Sequence, residues 1–109
     1  MSNTQASVLV VEDEVLVRTD LSLHLREAGF PVFEAGSAAE AIEILDRNGS
    51  IRIVFTDRMP GEMDGCGLAR VVRERWPPTM IVMCSGNADE AVAMADIFFP
   101  RLGLPVGRR

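Results

Sequence analysis

Val8-Leu9-Val10-Val11 is apolar without a polar break and halts at Glu12-Asp13-Glu14. That pattern predicts a strand covered on both faces that opens into a loop. Val17, Leu21, His24, Leu25 and Ala28 then recur at three- and four-residue spacing and stop at Gly29, which predicts an amphipathic helix with a glycine beyond its C-terminus. Phe30 to Ala35 reads as a second strand. Ser37 stands three residues before Glu40, a capping-box spacing, and Ala38, Ala41, Ile42 and Leu45 form the buried stripe of a second helix ending at Asn48-Gly49.

Ile51 to Thr56 is rich in β-branched residues and predicts a third strand that runs into Asp57. Leu68, Ala69, Val71 and Val72 give a third helix an apolar face, and Trp76-Pro77-Pro78 closes it, because proline cannot continue a helix and restricts the residue before it. Met80 to Met83 is the fourth strand. Beyond Ser85-Gly86-Asn87 the periodicity weakens, with a short helix over Ala88 to Ala95 and a short fifth strand at Ile97-Phe98-Phe99 before Pro100. The last residues are not helical in pattern.

Strands alternating with helices predict a parallel sheet with helices on both faces, since right-handed crossovers place them there. Sites in such sheets form at the carboxyl ends of the strands. If the first and third strands are neighbours, the chain reverses its winding between them and opens a crevice that brings Glu12, Asp13 and Asp57 together.

At 109 residues with 48% hydrophobic content, the chain suits one domain with one core. A net charge of -5 argues against a sequence-independent nucleic-acid surface, which needs clustered Lys and Arg, and in favour of a protein or a cation as partner, although most of its weight goes to an ordinary soluble surface. Cys66 and Cys84 make neither a disulfide framework nor a zinc site and read as reduced thiols. The polar start and the short apolar run after it lack the length of a signal peptide or membrane span, so a cytoplasmic protein with no membrane partner is expected.

Three carboxylates at strand ends repel one another unless a cation or a set of donors compensates. Mg²⁺ suits such a cluster, since it takes one or two carboxylates, several waters and a phosphate oxygen. The plainer account makes Glu12, Asp13 and Glu14 solvated loop charges and Asp57 the start of a turn, and strand-end placement alone leaves the two readings about even.

The segments Val8 to Glu14, Thr56-Asp57, Met59-Pro60-Gly61-Glu62-Met63-Asp64-Gly65 and Ser85-Gly86 resemble, in order and spacing, the receiver domain of two-component response regulators, in particular the short single-domain bacterial type. The match extends over nearly the whole chain. It implies a flavodoxin-like doubly wound parallel five-stranded sheet of order 2-1-3-4-5, with residues 1–109 as one receiver domain and 102–109 as a short tail. By that resemblance, Asp57 is the 4-aspartylphosphate acceptor, and Glu12, Asp13, Asp57 and the carbonyl of Met59 hold Mg²⁺. Ser85 reads the phosphoryl group, unless the match slides by one and Cys84 takes that position, where a thiol is a poorer donor. Phe98 matches the aromatic switch position. The partners implied are a histidine kinase or phosphotransfer protein and a downstream protein target, and the chain is a signalling module rather than an enzyme. His24 reads as a helix-face residue, not a relay site.

The sequence departs from the family in three places. A lysine followed by proline normally ends the fifth strand, whereas this chain reads Pro100-Arg101-Leu102, so the planar Arg101 replaces a compact point charge. The turn Asp57-Arg58-Met59-Pro60 is one residue shorter than in the most similar-looking members, which puts the metal-binding carbonyl in question. The segment after Ser85 is short and leaves no room for a fifth helix, which predicts either a homodimer contact over the uncovered face or low stability. Two competing functions follow: a pseudo-receiver acting as a constitutive interaction module, and an aspartyl-nucleophile Mg²⁺ phosphatase. The latter ranks low, because its second aspartate would fall at Met59.

Overall fold

The computed structural model describes residues 6–57, 65–85 and 97–100, with the side chains of 6–56 and 67–83. In chain order the elements are β1 (Ser7–Val11), α1 (Val15–Glu27), β2 (Val32–Ala35), α2 (Ala38–Arg47), β3 (Ile51–Asp57), α3 (Gly65–Arg75), β4 (Met80–Ser85) and β5 (Ile97–Pro100). The strands form one parallel sheet in the order β2-β1-β3-β4-β5. The winding therefore reverses between β1 and β3, in the order that the resemblance implies.

β1 lies at this reversal and is buried along its whole length, which is why its sequence shows no polar alternation. Val11 pairs with Ala35 of β2 on one side and with Thr56 of β3 on the other. The ladder with β3 slips between Ser7 and Val8. That irregularity lets Ile51 join Leu9 and Val54 in the same core cluster, although strict alternation would turn it away.

Leu9, Val11, Val54, Ile81 and Met83 pack with Ala38, Ala41 and Leu45 of α2 and Leu68, Ala69 and Val72 of α3. The alternate positions of β1, Val8 and Val10, are fully buried outside that cluster. They face α1, which packs on β1 and β2. Gly29 follows α1 with φ 103°, a left-handed conformation that glycine adopts freely, and α3 ends as expected before Pro77-Pro78.

Three local expectations change. The inward stripe of α1 is Arg18, Leu21, Ser22 and Leu25, not the Val17-His24-Ala28 set, whose members are exposed. The rotation has a visible cause: Arg18 bonds inward to the carbonyl of Glu12, and the His24 Nδ1 turns back to the Asp20 carbonyl at 2.8 Å. β2 starts at Val32 rather than Phe30 because the Phe30 amide closes the end of α1 on the Leu25 carbonyl and Pro31 has no amide to give. At α2 the Ser37 Oγ accepts the Glu40 amide at 3.1 Å as a cap should, but Glu40 returns its bond to the amide of Gly36 at 2.8 Å, one residue early. The short helix expected over Ala88 to Ala95 and the tail 102–109 lie outside the described residues, as does any cover they give the sheet.

Candidate functional site

The carboxyl ends of β1, β3 and β4 lie side by side at the reversal of strand order. Val11 pairs with Thr56, so Glu12 and Asp57 each stand one residue beyond a paired position on adjacent strands. Asp57 pairs in turn with Cys84, Ser85 follows it and pairs with Pro100 of β5, and Phe98 pairs with Met83. The backbone thus brings the positions of Glu12, Asp57, Cys84 and Ser85 to one edge of the sheet, the edge at which open α/β sheets build their sites.

Glu12 is held on three sides. Its amide donates to the Ala35 carbonyl at 3.0 Å, its carbonyl accepts from Arg18 Nη1 at 2.7 Å, and its Oε2 accepts the Glu14 amide at 3.1 Å. The residue is only 6% exposed. A carboxylate so far out of water is costly to keep charged unless donors or a cation compensate. Asp13, the next residue, is exposed. The two acids that the sequence presents as a pair therefore differ: Glu12 is fixed and desolvated, and Asp13 is solvated. Thr56 is buried beside them at 4% exposure.

Behind Glu12 lies a network that the hydrophobic pattern gave no reason to seek. Arg18 Nε pairs with Glu34 Oε1 at 3.4 Å, and the other oxygen of Glu34 takes Arg26 Nη1 at 3.1 Å. Glu34 stands opposite Val10 in the β1–β2 register, which turns it toward α1. The one sequence signal was an acidic residue inside a short strand otherwise read as apolar.

Asp57, Cys84, Ser85 and Phe98 are placed by their backbones only, since their side chains lie outside those described. Met59 and Arg101 fall outside the described residues altogether. His24 sits exposed on α1 and takes no part. Among the described residues no helix is long and apolar enough to cross a membrane, and the described side chains alone bring no three metal-binding groups together.

Residues 8–97 match the family model of the response regulator receiver domain. Over 89 residues, 81% of this chain, the sequence is 40% identical to the sensor kinase CckA of Brucella abortus, of which it spans 9%. Other curated relatives are likewise far longer, the chain covering about a fifth of each. A response regulator receiver protein from Pseudomonas putida superposes with TM-score 0.82 at 25% identity, covering 92% of this chain and 88% of that one. The response regulator TrrA from Thermotoga maritima, solved in complex with Mg²⁺-BeF, superposes with TM-score 0.78 at 21% identity over 90% and 88% of the two chains.

Proposed function

Because the chain belongs to the response regulator receiver domain family, we propose that it is a phosphorylation-dependent signalling module that takes a phosphoryl group onto Asp57 from a histidine kinase or phosphotransfer protein. The observation that carries this reading is the register at the sheet edge. Val11–Thr56 and Asp57–Cys84 pairing sets Glu12, Asp57 and the Cys84-Ser85 step abreast at the strand-order reversal. The Asp57 backbone ends its strand there, and Glu12, whose carboxylate accepts the Glu14 amide, stands at the end of the adjacent strand.

Glu12 and Asp13 would hold Mg²⁺ directly or through water, with Asp57 and a backbone carbonyl near Met59 completing the set. The residues suit the ion: Glu12 is a hard oxygen donor held with little exposure, and Asp13 remains hydrated as a water-mediated ligand requires. The bound ion supplies charge neutralisation between the incoming phosphoryl group and the acidic cluster. The complex of TrrA with Mg²⁺-BeF supports this choice of ion.

In the transfer, an oxygen of Asp57 bonds to phosphorus as the phosphorus–nitrogen bond of phosphohistidine breaks, and the electron pair leaves with the imidazole. Ser85 would hydrogen-bond the transferred group and Arg101 would meet its new charge, with Phe98 shifting as the β4–β5 surface changes. That surface is the one offered to a downstream protein.

Intact-mass measurement after incubation with acetyl phosphate and Mg²⁺ tests the reading, with Asp57→Asn and a metal-free sample beside it. One phosphoryl adduct that needs Mg²⁺ and vanishes in Asp57→Asn is expected. A folded chain that never labels would instead favour a constitutive interaction module, the reading that Arg101 in place of the family's lysine also permits.

A further inference from the structure

We infer that Arg18 is a positioning residue for the metal: it braces the Glu12 main chain against β2 and thereby sets the affinity of the β1 acidic cluster for Mg²⁺. The inference rests on the receiver reading and adds a residue to it. Arg18 lies in the second turn of α1 and is only 20% exposed along its side chain. One guanidinium nitrogen, Nη1, donates to the Glu12 carbonyl at 2.7 Å, while Nε reaches Glu34 of β2 at 3.4 Å. With the Glu12 amide on Ala35 at 3.0 Å, the peptide groups on both sides of the Glu12 Cα are fixed to β2. The path of the chain there leaves the carboxylate little choice of position.

Gly36 leaves room for the brace. A Cβ at this position would come 3.0 Å from Arg18 Nη1, tighter than an ordinary contact, so even alanine would need the guanidinium to give by a few tenths of an ångström. Glu34 is itself held by Arg26, whose Nη2 also donates to the Val32 carbonyl at 3.1 Å. Arg18 therefore docks on an acceptor that is already oriented. The guanidinium reaches the two acceptors with donors fixed in one plane, a geometry that the compact ammonium of lysine does not reproduce.

Two effects of Arg18 on the metal have opposite sign, which makes the inference testable. Its charge repels a cation, so if charge alone mattered, Arg18→Ala would bind Mg²⁺ more tightly. As a brace its loss frees Glu12, and removal of groups that orient a metal ligand costs roughly ten- to a hundredfold in affinity.

Isothermal titration with MgCl₂ at constant ionic strength, with no phosphoryl donor present, decides between them. Circular dichroism establishes that each variant is folded. Arg18→Ala is expected to bind at least about tenfold more weakly than the native chain, with Arg18→Lys between the two. Equal or tighter binding by Arg18→Ala overturns the inference; should that variant not fold, equal or tighter binding by Arg18→Lys does so. A native chain that takes up no Mg²⁺ overturns the metal site and the brace together. Native binding that Arg18 does not strengthen overturns only the brace.

Discussion

On the sheet face toward α2 and α3, Leu9, Val54, Ile81 and Met83 are sealed completely, whereas on the face toward α1 the seal covers Val8, Val10 and Val82 but leaves Ile53 and Phe55 half-buried. The helices on the two faces differ in what they present. α2 presents Ala38, Ala41 and Leu45 and α3 presents Leu68, Ala69 and Val72, small and branched side chains that approach the strands closely. α1 presents Arg18 and Ser22 inward and leaves Val15, Leu16, Val17 and Leu23 outside. The first face is arranged for packing. The second face is covered by α1 over β1 and β2, and one inward position of that helix holds Glu12.

The largest effect should come from emptying equivalent positions on the two faces. Leu9→Ala removes a fully buried side chain and leaves a cavity, so a loss of about 3–4 kcal/mol is expected. Phe55→Ala removes a larger side chain that is already part-solvated, and about half that loss is expected. Urea unfolding measures both. Trp76 is the single tryptophan and packs against the α2–α3 cluster with Arg75 over its ring at 4.5 Å, so its fluorescence reports that face while circular dichroism reports the whole chain. Equal losses in the two variants would break the contrast between the faces, and transitions that separate by probe would sharpen it into two units of different stability.

The same contrast explains what the sequence could tell and what it could not. The α2–α3 face was legible because its strands read as unbroken apolar runs and the stripes of α2 and α3 recur every three to four residues, whereas the slip that brings Ile51 to the same cluster as Val54 left no mark in the sequence. The parallel sheet followed from the βα alternation and the strand order from the resemblance, and the carboxylates were legible because each ends an apolar run. The inward stripe of α1 was not, because two of its four members, Arg18 and Ser22, are polar, and a search for hydrophobic repeats rotates the helix toward Val17 and His24 instead. Arg18 was missed for the same reason. Its role depends on reaching a main-chain oxygen six residues back and an acid on another strand, and neither relation has a fixed spacing. The unequal burial of Glu12 and Asp13 was equally hidden, since adjacent residues differ only through what the fold places over them.

A smaller effect of opposite sign is expected at Ser22. The residue is completely buried and its Oγ finds no hydrogen-bond partner among the described residues. A hydroxyl moved out of water without a partner is a net cost, so Ser22→Ala should raise stability by about 1 kcal/mol, read as a higher urea midpoint at unchanged slope. A loss would mean that the hydroxyl is satisfied in solution, and that the α1 face is better matched to its polar residue than its geometry indicates.

The smallest effect concerns the outer side of α1. Leu16 is 76% exposed, so the folded chain gains almost nothing by keeping it apolar, and Leu16→Gln should change stability by less than about 0.5 kcal/mol. The measurement gains force when repeated at two protein concentrations. If α1 faces only water, the midpoint is the same at both and the substitution is silent. If a second copy covers α1, the native midpoint rises with concentration and Leu16→Gln lowers it, because a contact between copies enters stability through mass action. A silent substitution would leave the lesser closure of this face as a property of the fold, with Val15, Leu16, Val17 and Leu23 standing in solvent because the inward positions of α1 are given to Arg18, Leu21, Ser22 and Leu25.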